Sequence, residues 1–156
     1  MITTRSERVA ITVRRATARD LATLVALERR CFAAPWSEAS IADELARPIA
    51  VVDLAIAADG AVIGYAVAWR IGSECHLLRI ATRPEARGRG VGARLLEAVI
   101  EGARGAGCEQ VQLEVGRAND IAARLYGRAG FELVGVRAGY YRDPVDDALL
   151  MTRVLG

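Results

Sequence analysis

The chain contains no lysine; all 21 of its basic residues are arginine. Schiff-base and P-loop lysine chemistry are therefore excluded. A single histidine, His76, cannot assemble a histidine-based metal site. The three cysteines, Cys31, Cys75 and Cys108, are far apart and form no CxxC pair. They read as reduced, mostly buried thiols of a cytoplasmic protein, and no metal is expected. No stretch of 18 apolar residues occurs. The most apolar region, residues 50–71, is interrupted by Asp53, Asp59, Gly60 and Gly64, so no segment is expected to span a membrane. Residues 1–8 lack an apolar core and read as a flexible polar tail rather than a signal peptide. The net charge of +2 is too small to imply nucleic-acid binding, and none is expected.

What is present suits an ordinary globular unit. Hydrophobic residues make up 53% of 156, enough for a full core without disulfides, and residues 9–156 read as one domain. A strand is expected at residues 10–14. Thr17-Ala18-Arg19-Asp20 resembles a capping box, and Leu21, Leu24, Val25 and Leu27 continue at helical spacing to about Phe32. Pro35 stops that helix; Ser37 caps a shorter one that carries Ile41 and Leu45 and ends before Pro48. Strands at 51–57 and 62–71 flank an Asp59-Gly60 turn, and a third covers 74–82. Helices at about 91–105 and 119–129 alternate with a strand at 110–115. Two final strands, 131–137 and 148–154, flank a turn containing Asp143-Pro144. The order β-α-α-β-β-β-α-β-α-β-β predicts an α/β (α+β) fold, with a mixed central sheet and helices on both faces.

Between the third of these strands and the following helix lies Arg87-Gly88-Arg89-Gly90-Val91-Gly92. Glycines permit tight turns that aim backbone N–H groups at one anion, and a helix N-terminus adds its dipole. Arg83, Arg87, Arg89 and Arg94 surround the loop, and guanidinium groups suit phosphate oxygens. Three readings are open on these residues. Gly88-x-Gly90-x-x-Ala93 fits a dinucleotide fingerprint, with Glu114 as the ribose-binding acid, although Pro84 to Arg87 intervene between strand and first glycine. Arg87-x-x-Gly90-x-Gly92 resembles the acetyl-CoA pyrophosphate loop of the GCN5-related N-acetyltransferase superfamily. A flexible arginine-glycine surface loop is the third.

Further along stands Leu113-Glu114-Val115-Gly116-Arg117-Ala118-Asn119, followed by Ala122-Ala123-Arg124-Leu125-Tyr126 and Gly130-Phe131. With the glycine loop, this series resembles the GCN5-related N-acetyltransferase (GNAT) superfamily, and is most similar to its ribosomal-protein-alanine N-acetyltransferase (RimI-type) branch. Pro35-Trp36-Ser37, Ile80-Ala81-x-x-Pro84 and Arg137-x-x-Tyr140-Tyr141 extend the resemblance over residues 35–154.

The resemblance implies the GNAT fold and acetyl transfer from acetyl-CoA, the cosubstrate, to an amine. Arg87, Gly88, Arg89, Gly90, Val91 and Gly92 would bind the pyrophosphate. Ile80, Ala81 and Thr82 would hold the pantetheine arm, with Asn119 on the cofactor side. Glu114 would be the general base, Tyr126 the general acid, and Trp36, Tyr140 and Tyr141 the substrate walls. The implied acceptor is a protein N-terminus, the alanine of a small-subunit ribosomal protein. A small-molecule amine and a non-catalytic acyl-CoA-binding module are the alternatives.

The residues themselves carry other readings. Glu114 shares a strand face with Gln112, away from Val111, Leu113 and Val115, as a solvated residue would. Tyr126 could be a half-buried core tyrosine, and Asn119 a helix cap. With only eight aromatics in the chain (Trp 2, Tyr 4, Phe 2), Trp36, Tyr140 and Tyr141 in turns suit a binding surface. His76 reads as a structural side chain. Three positions depart from the branch. Gly116 stands where Arg is usual and is expected to loosen the loop. Arg79 and Thr82 replace Asn and Val, and Arg79 adds charge beside the cleft.

Overall fold

A computed structural model describes residues 10–142 and 144–156. The expected 1–8 tail and Asp143 of the final turn lie outside them. The elements are β1 (Thr12–Arg15), α1 (Leu21–Cys31), α2 (Glu38–Ala46), β2 (Ala50–Ile56), β3 (Val62–Ile71), β4 (Glu74–Thr82), α3 (Val91–Gly105), β5 (Gln110–Gly116), α4 (Asp120–Arg128), β6 (Glu132–Arg142) and β7 (Val145–Val154). This is the expected order. Among the described residues seven strands form one sheet, ordered β1-β2-β3-β4-β5-β7-β6, in which only the β4–β5 pair is parallel. The last two strands run longer than expected, β6 through Tyr140-Tyr141 to Arg142.

Local chemistry sets the element ends. Thr17 and Asp20 form the reciprocal capping box, and Asp20 also takes both terminal nitrogens of Arg14 at 2.9 and 3.0 Å. The Arg14 guanidinium and the Thr17 N–H hold the Asp20 carboxyl down at about 2. Ser37 caps α2, accepting from the Ser40 N–H.

Alternating residues of the strands bury two separate layers. On one face, Cys75, Leu77, Val111, Leu113 and Val115 pack under α3 and α4 with Leu95, Leu96, Val99, Tyr126 and Phe131. Cys75 lies wholly inside, and burial first, then the neighbouring Cys108, pushes its thiol up to about 11. On the other face, α1 and α2 cover β2, β3 and β4 through Leu24, Val25, Leu27, Ile41, Val52, Leu54, Tyr65, Val67 and Ala81.

α3 sits close to β3 because of Gly64. A Cβ there would lie 2.7 Å from the Ala81 carbonyl oxygen, 3.0 Å from Val91 Cγ1 and 3.2 Å from Leu95 Cδ1. Only glycine allows that approach.

Candidate active site

The site begins where the sheet comes apart. β4 and β5 pair in parallel only from Glu74–Gln110 to Leu77–Leu113. Past Leu77, β4 pairs with β3 alone, and a bulge lies in this stretch: Val67 pairs with Arg79 while the adjacent Ala68 pairs with Leu77, leaving Leu78 over. A bulge adds one residue and shifts the two-residue alternation. Cys75 and Leu77 face α3, but past the bulge Ile80 takes that side, while Arg79 and Ala81 turn to the α1 side.

Two adjoining depressions open at the splay. A cleft of about 560 Å³ is bounded by Phe32, Leu78, Arg79 and Ile80 on one side and by Glu114, Asn119, Ala122, Tyr126, Tyr141 and Asp146 on the other. A groove of about 570 Å³ runs the other way over β5, β7 and β6, past His76, Gln112, Val134, Arg137, Tyr140, Leu150 and Thr152. Each has the volume of a small-molecule site. Leu77, Leu78, Glu114 and Tyr141 border both. Both of the expected acid–base residues therefore line one cleft, and Glu114 stands where cleft and groove meet.

Glu114 is on the outward face of β5, as the alternation predicted, with its side chain 34% exposed. No described residue hydrogen-bonds its carboxylate; Arg137 Nη1 stands 3.5 Å from Oε1 and packs over Tyr140 with Cζ 5.4 Å from the ring centroid. Tyr126 is buried on α4, edge-on to Phe131 at 5.9 Å. No described residue hydrogen-bonds its hydroxyl. Burial, helped by Tyr141, pushes that phenol up to about 12, so it stays protonated near neutrality. Tyr141 packs edge-on to Tyr140 at 5.2 Å; burial and then Glu114 raise its phenol as well. Asn119 does two things at once: it caps α4, accepting from the Ala122 N–H at 3.2 Å, and it borders the cleft.

The glycine loop opens α3. Gly88 and Gly90 have φ of +78° and +83°, and Gly90 is the helix N-cap. Side chains there would be strained, so this backbone depends on glycine. Arg87 donates from Nε to the Thr82 carbonyl at 3.1 Å, tying the loop to the end of β4. Gly92 faces α4: a Cβ there would lie 3.3 Å from Leu125 Cδ2. The loop thus offers exposed backbone at a helix start beside the splay, the arrangement a pyrophosphate needs. Of the expected cofactor residues, Ile80 reaches the cleft with its side chain. Val91 and Ala81 are buried in the two cores, which leaves only their backbone for a ligand.

Two expectations are modified. Gly116 does not loosen a loop: it continues β5, paired with Ala148, and a Cβ would come 2.9 Å from Asp146 Oδ2. Arg79 adds no free charge, because it is spent on a residue that the sequence reading missed. Glu28 of α1 is wholly buried and accepts from Arg79 Nε at 3.0 Å, Arg79 Nη2 at 2.6 Å, the Trp36 N–H at 3.0 Å and the Tyr65 hydroxyl. Burial pushes its carboxyl up, but these donors outweigh that and hold it below its ordinary value. Burial and Glu28 together raise the Tyr65 phenol. Removing one partner of such a pair leaves an unpaired buried charge, at about 3–5 kcal/mol. Arg79 also packs over Phe32 (3.6 Å) and Trp36 (4.5 Å). Phe32 lines the cleft; Trp36, an expected substrate wall, does not, and borders a separate small pocket with Leu24, Ile41 and Tyr65. Glu28 had a signal: it falls four residues after Leu24 and three after Val25, on the buried stripe of α1.

Comparison with known proteins agrees with this geometry. The model of the acetyltransferase (GNAT) family matches residues 21–131. The N-alpha-acetyltransferase RimI of Mycobacterium tuberculosis is 36% identical over 152 residues, covering 94% of each chain. The [ribosomal protein bS18]-alanine N-acetyltransferase of Escherichia coli K12 is 30% identical over 134 residues, 85% of this chain and 89% of that one. The crystal structure of the ribosomal-protein-S18-alanine N-acetyltransferase from Escherichia coli superposes with a TM-score of 0.87 at 27% identity, covering 94% of both chains. A match through the glycine loop, the β5 glutamate and α4, in a chain with this splayed sheet, establishes that the protein belongs to the acetyltransferase (GNAT) family.

Proposed function

We propose that the protein is an N-alpha-acetyltransferase. It would move the acetyl group of acetyl-CoA to the N-terminal amine of a protein, with the alanine N-terminus of a small-subunit ribosomal protein as the acceptor. The observation that carries this reading is the position of Glu114. It stands where a cleft holding Tyr126 and Asn119 meets an open groove lined by Tyr140 and Arg137. Two reactants arriving from opposite sides would meet there and react directly in a ternary complex. The relatives in M. tuberculosis and E. coli, an N-alpha-acetyltransferase and a ribosomal-protein-alanine N-acetyltransferase, support the protein N-terminus as acceptor.

In this reading Arg87, Gly88, Arg89, Gly90, Val91 and Gly92 hold the pyrophosphate through backbone N–H groups and guanidinium contacts. Ile80, Ala81 and Thr82, on the strand edge that β5 leaves, lie along the pantetheine arm. An α-amino group with a pKa near 8 is mostly protonated at pH 7 and is not a nucleophile. Glu114 accepts its proton, through water where the gap requires one. The amine nitrogen then bonds to the acetyl carbon and gives up its second proton to water as the carbon–sulfur bond breaks and the neutral amide forms. Tyr126, kept protonated by burial, gives its phenolic proton to the departing thiolate.

The test is release of free thiol from acetyl-CoA, with peptides differing in their first residue set against free amino acids and polyamines. Turnover confined to peptides with a free N-terminus is expected. Turnover with small amines alone would keep the cofactor and the acid–base pair and replace the acceptor. Tight CoA binding with no acceptor-dependent thiol would leave a binding module.

A further inference from the structure

Arg79 is held in place more firmly than a surface arginine needs to be. Two of its nitrogens are bound by a carboxylate with no solvent exposure, its guanidinium lies over two aromatic rings, and its side chain is only 18% exposed. The part that remains accessible borders the cleft. It cannot swing aside without leaving Glu28 buried and unpaired, so it is a fixed wall rather than a mobile side chain. Its position relative to Glu114 follows from the register. Leu77 is level with Leu113, which puts Leu78 and Arg79 across the splay from Glu114. An amine delivered to Glu114 along the groove therefore brings the substituent on its adjacent carbon to the junction at Leu78, where Arg79 and Phe32 wall the cleft.

We propose that Arg79, locked by Glu28, is a specificity-determining residue that closes the acceptor side of the cleft to all but small first side chains, such as those of glycine, alanine and serine. This rests on the reading of the acceptor as a protein N-terminus. Arg79 touches no reacting atom in it. Its effect is steric, and Glu28 acts only through it, as a positioning residue.

The test compares kcat/KM for three peptides identical except for an Ala, Leu or Phe first residue. Wild type is expected to favour Ala by roughly tenfold or more, the scale at which a filled pocket rejects added carbon atoms. Arg79→Ala is combined with Glu28→Gln so that no buried charge is left unpaired, and folding is checked by thermal melting. In this double variant the Leu-to-Ala ratio is expected to rise by roughly tenfold, mainly through a lower KM for the Leu peptide. Wild type turning over Leu and Phe peptides as well as Ala would overturn the proposal without any variant. So would a folded, active double variant with an unchanged ratio. Wild type that acetylates small amines but no peptide would fail the protein-acceptor reading itself and remove the proposal with it, an outcome distinct from the other two.

Discussion

At the residue scale the proposed chemistry rests on two side chains whose surroundings differ. Glu114 is one-third exposed, with Arg137 Nη1 3.5 Å from its carboxylate and no hydrogen-bonding partner among the described residues. Tyr126 is buried and held protonated. Glu114→Gln keeps the shape but cannot take a proton, and Tyr126→Phe keeps the ring but cannot give one. Each is expected to lower kcat by about 10²–10⁴-fold, while acetyl-CoA affinity measured by calorimetry changes little. Wild-type turnover in both variants would remove these roles. Both residues were visible in the sequence because the motif containing them is contiguous and β5 has no bulge, so alternation placed Glu114 outward correctly. The pairing of Arg79 with Glu28 was not, although Arg79 stood out beside the cleft and Glu28 falls on the buried stripe of α1. The Leu78 bulge reverses the face on which Arg79 falls, and no local pattern announces it. A period of two predicts the wrong side for every residue beyond such a point.

At the scale of elements, two predictions concern how pieces of backbone are held. Gly64→Ala would set a methyl group 2.7 Å from the Ala81 carbonyl, which is main chain and cannot step back cheaply. The substitution is expected to cost about 1–3 kcal/mol in urea unfolding. The start of α1 depends on Asp20. Its carboxyl sits at about 2 when folded against an ordinary 3.8, so it contributes stability above pH 3.8 and loses it as pH falls toward 2. With Arg14 half exposed, about 1–2 kcal/mol is at stake. Asp20→Asn should lower the melting temperature at pH 5 and above, and the gap from wild type should close between pH 4 and pH 2. A constant gap would show that the ion pair contributes nothing. The elements themselves were legible where caps and periodicity agree, as at Thr17–Asp20 and over residues 110–115. The β6–β7 hairpin was less so: Gly139 and two register shifts hide the continuity of β6 through Tyr141, and the sequence there looks like turn.

At the scale of the whole molecule, function follows from an uneven covering of one sheet. α3 and α4 cover one face, whereas α1 and α2 cover only the β2–β4 part of the other and leave the groove over β5, β7 and β6 open. The single parallel pair, β4–β5, holds for four residues and then separates. A ligand entering there contacts both halves of the sheet, the start of α3 and the start of α4, none of which presents this arrangement in the unfolded chain. Ligand binding should therefore stabilise the fold by mass action. At 100 times its Kd, acetyl-CoA is expected to add about 2.7 kcal/mol and raise Tm by roughly 5–10 °C. NADH under the same conditions should add nothing. The glycine loop follows a strand and precedes a helix as a dinucleotide loop does, but Pro84 to Arg87 separate it from β4, and β5 pairs in parallel with β4 for only four residues and then takes the antiparallel β7 as its other neighbour, where a dinucleotide fold continues with parallel strands. A shift with NADH and none with acetyl-CoA would reverse that assignment and detach the glycine loop from acetyl transfer.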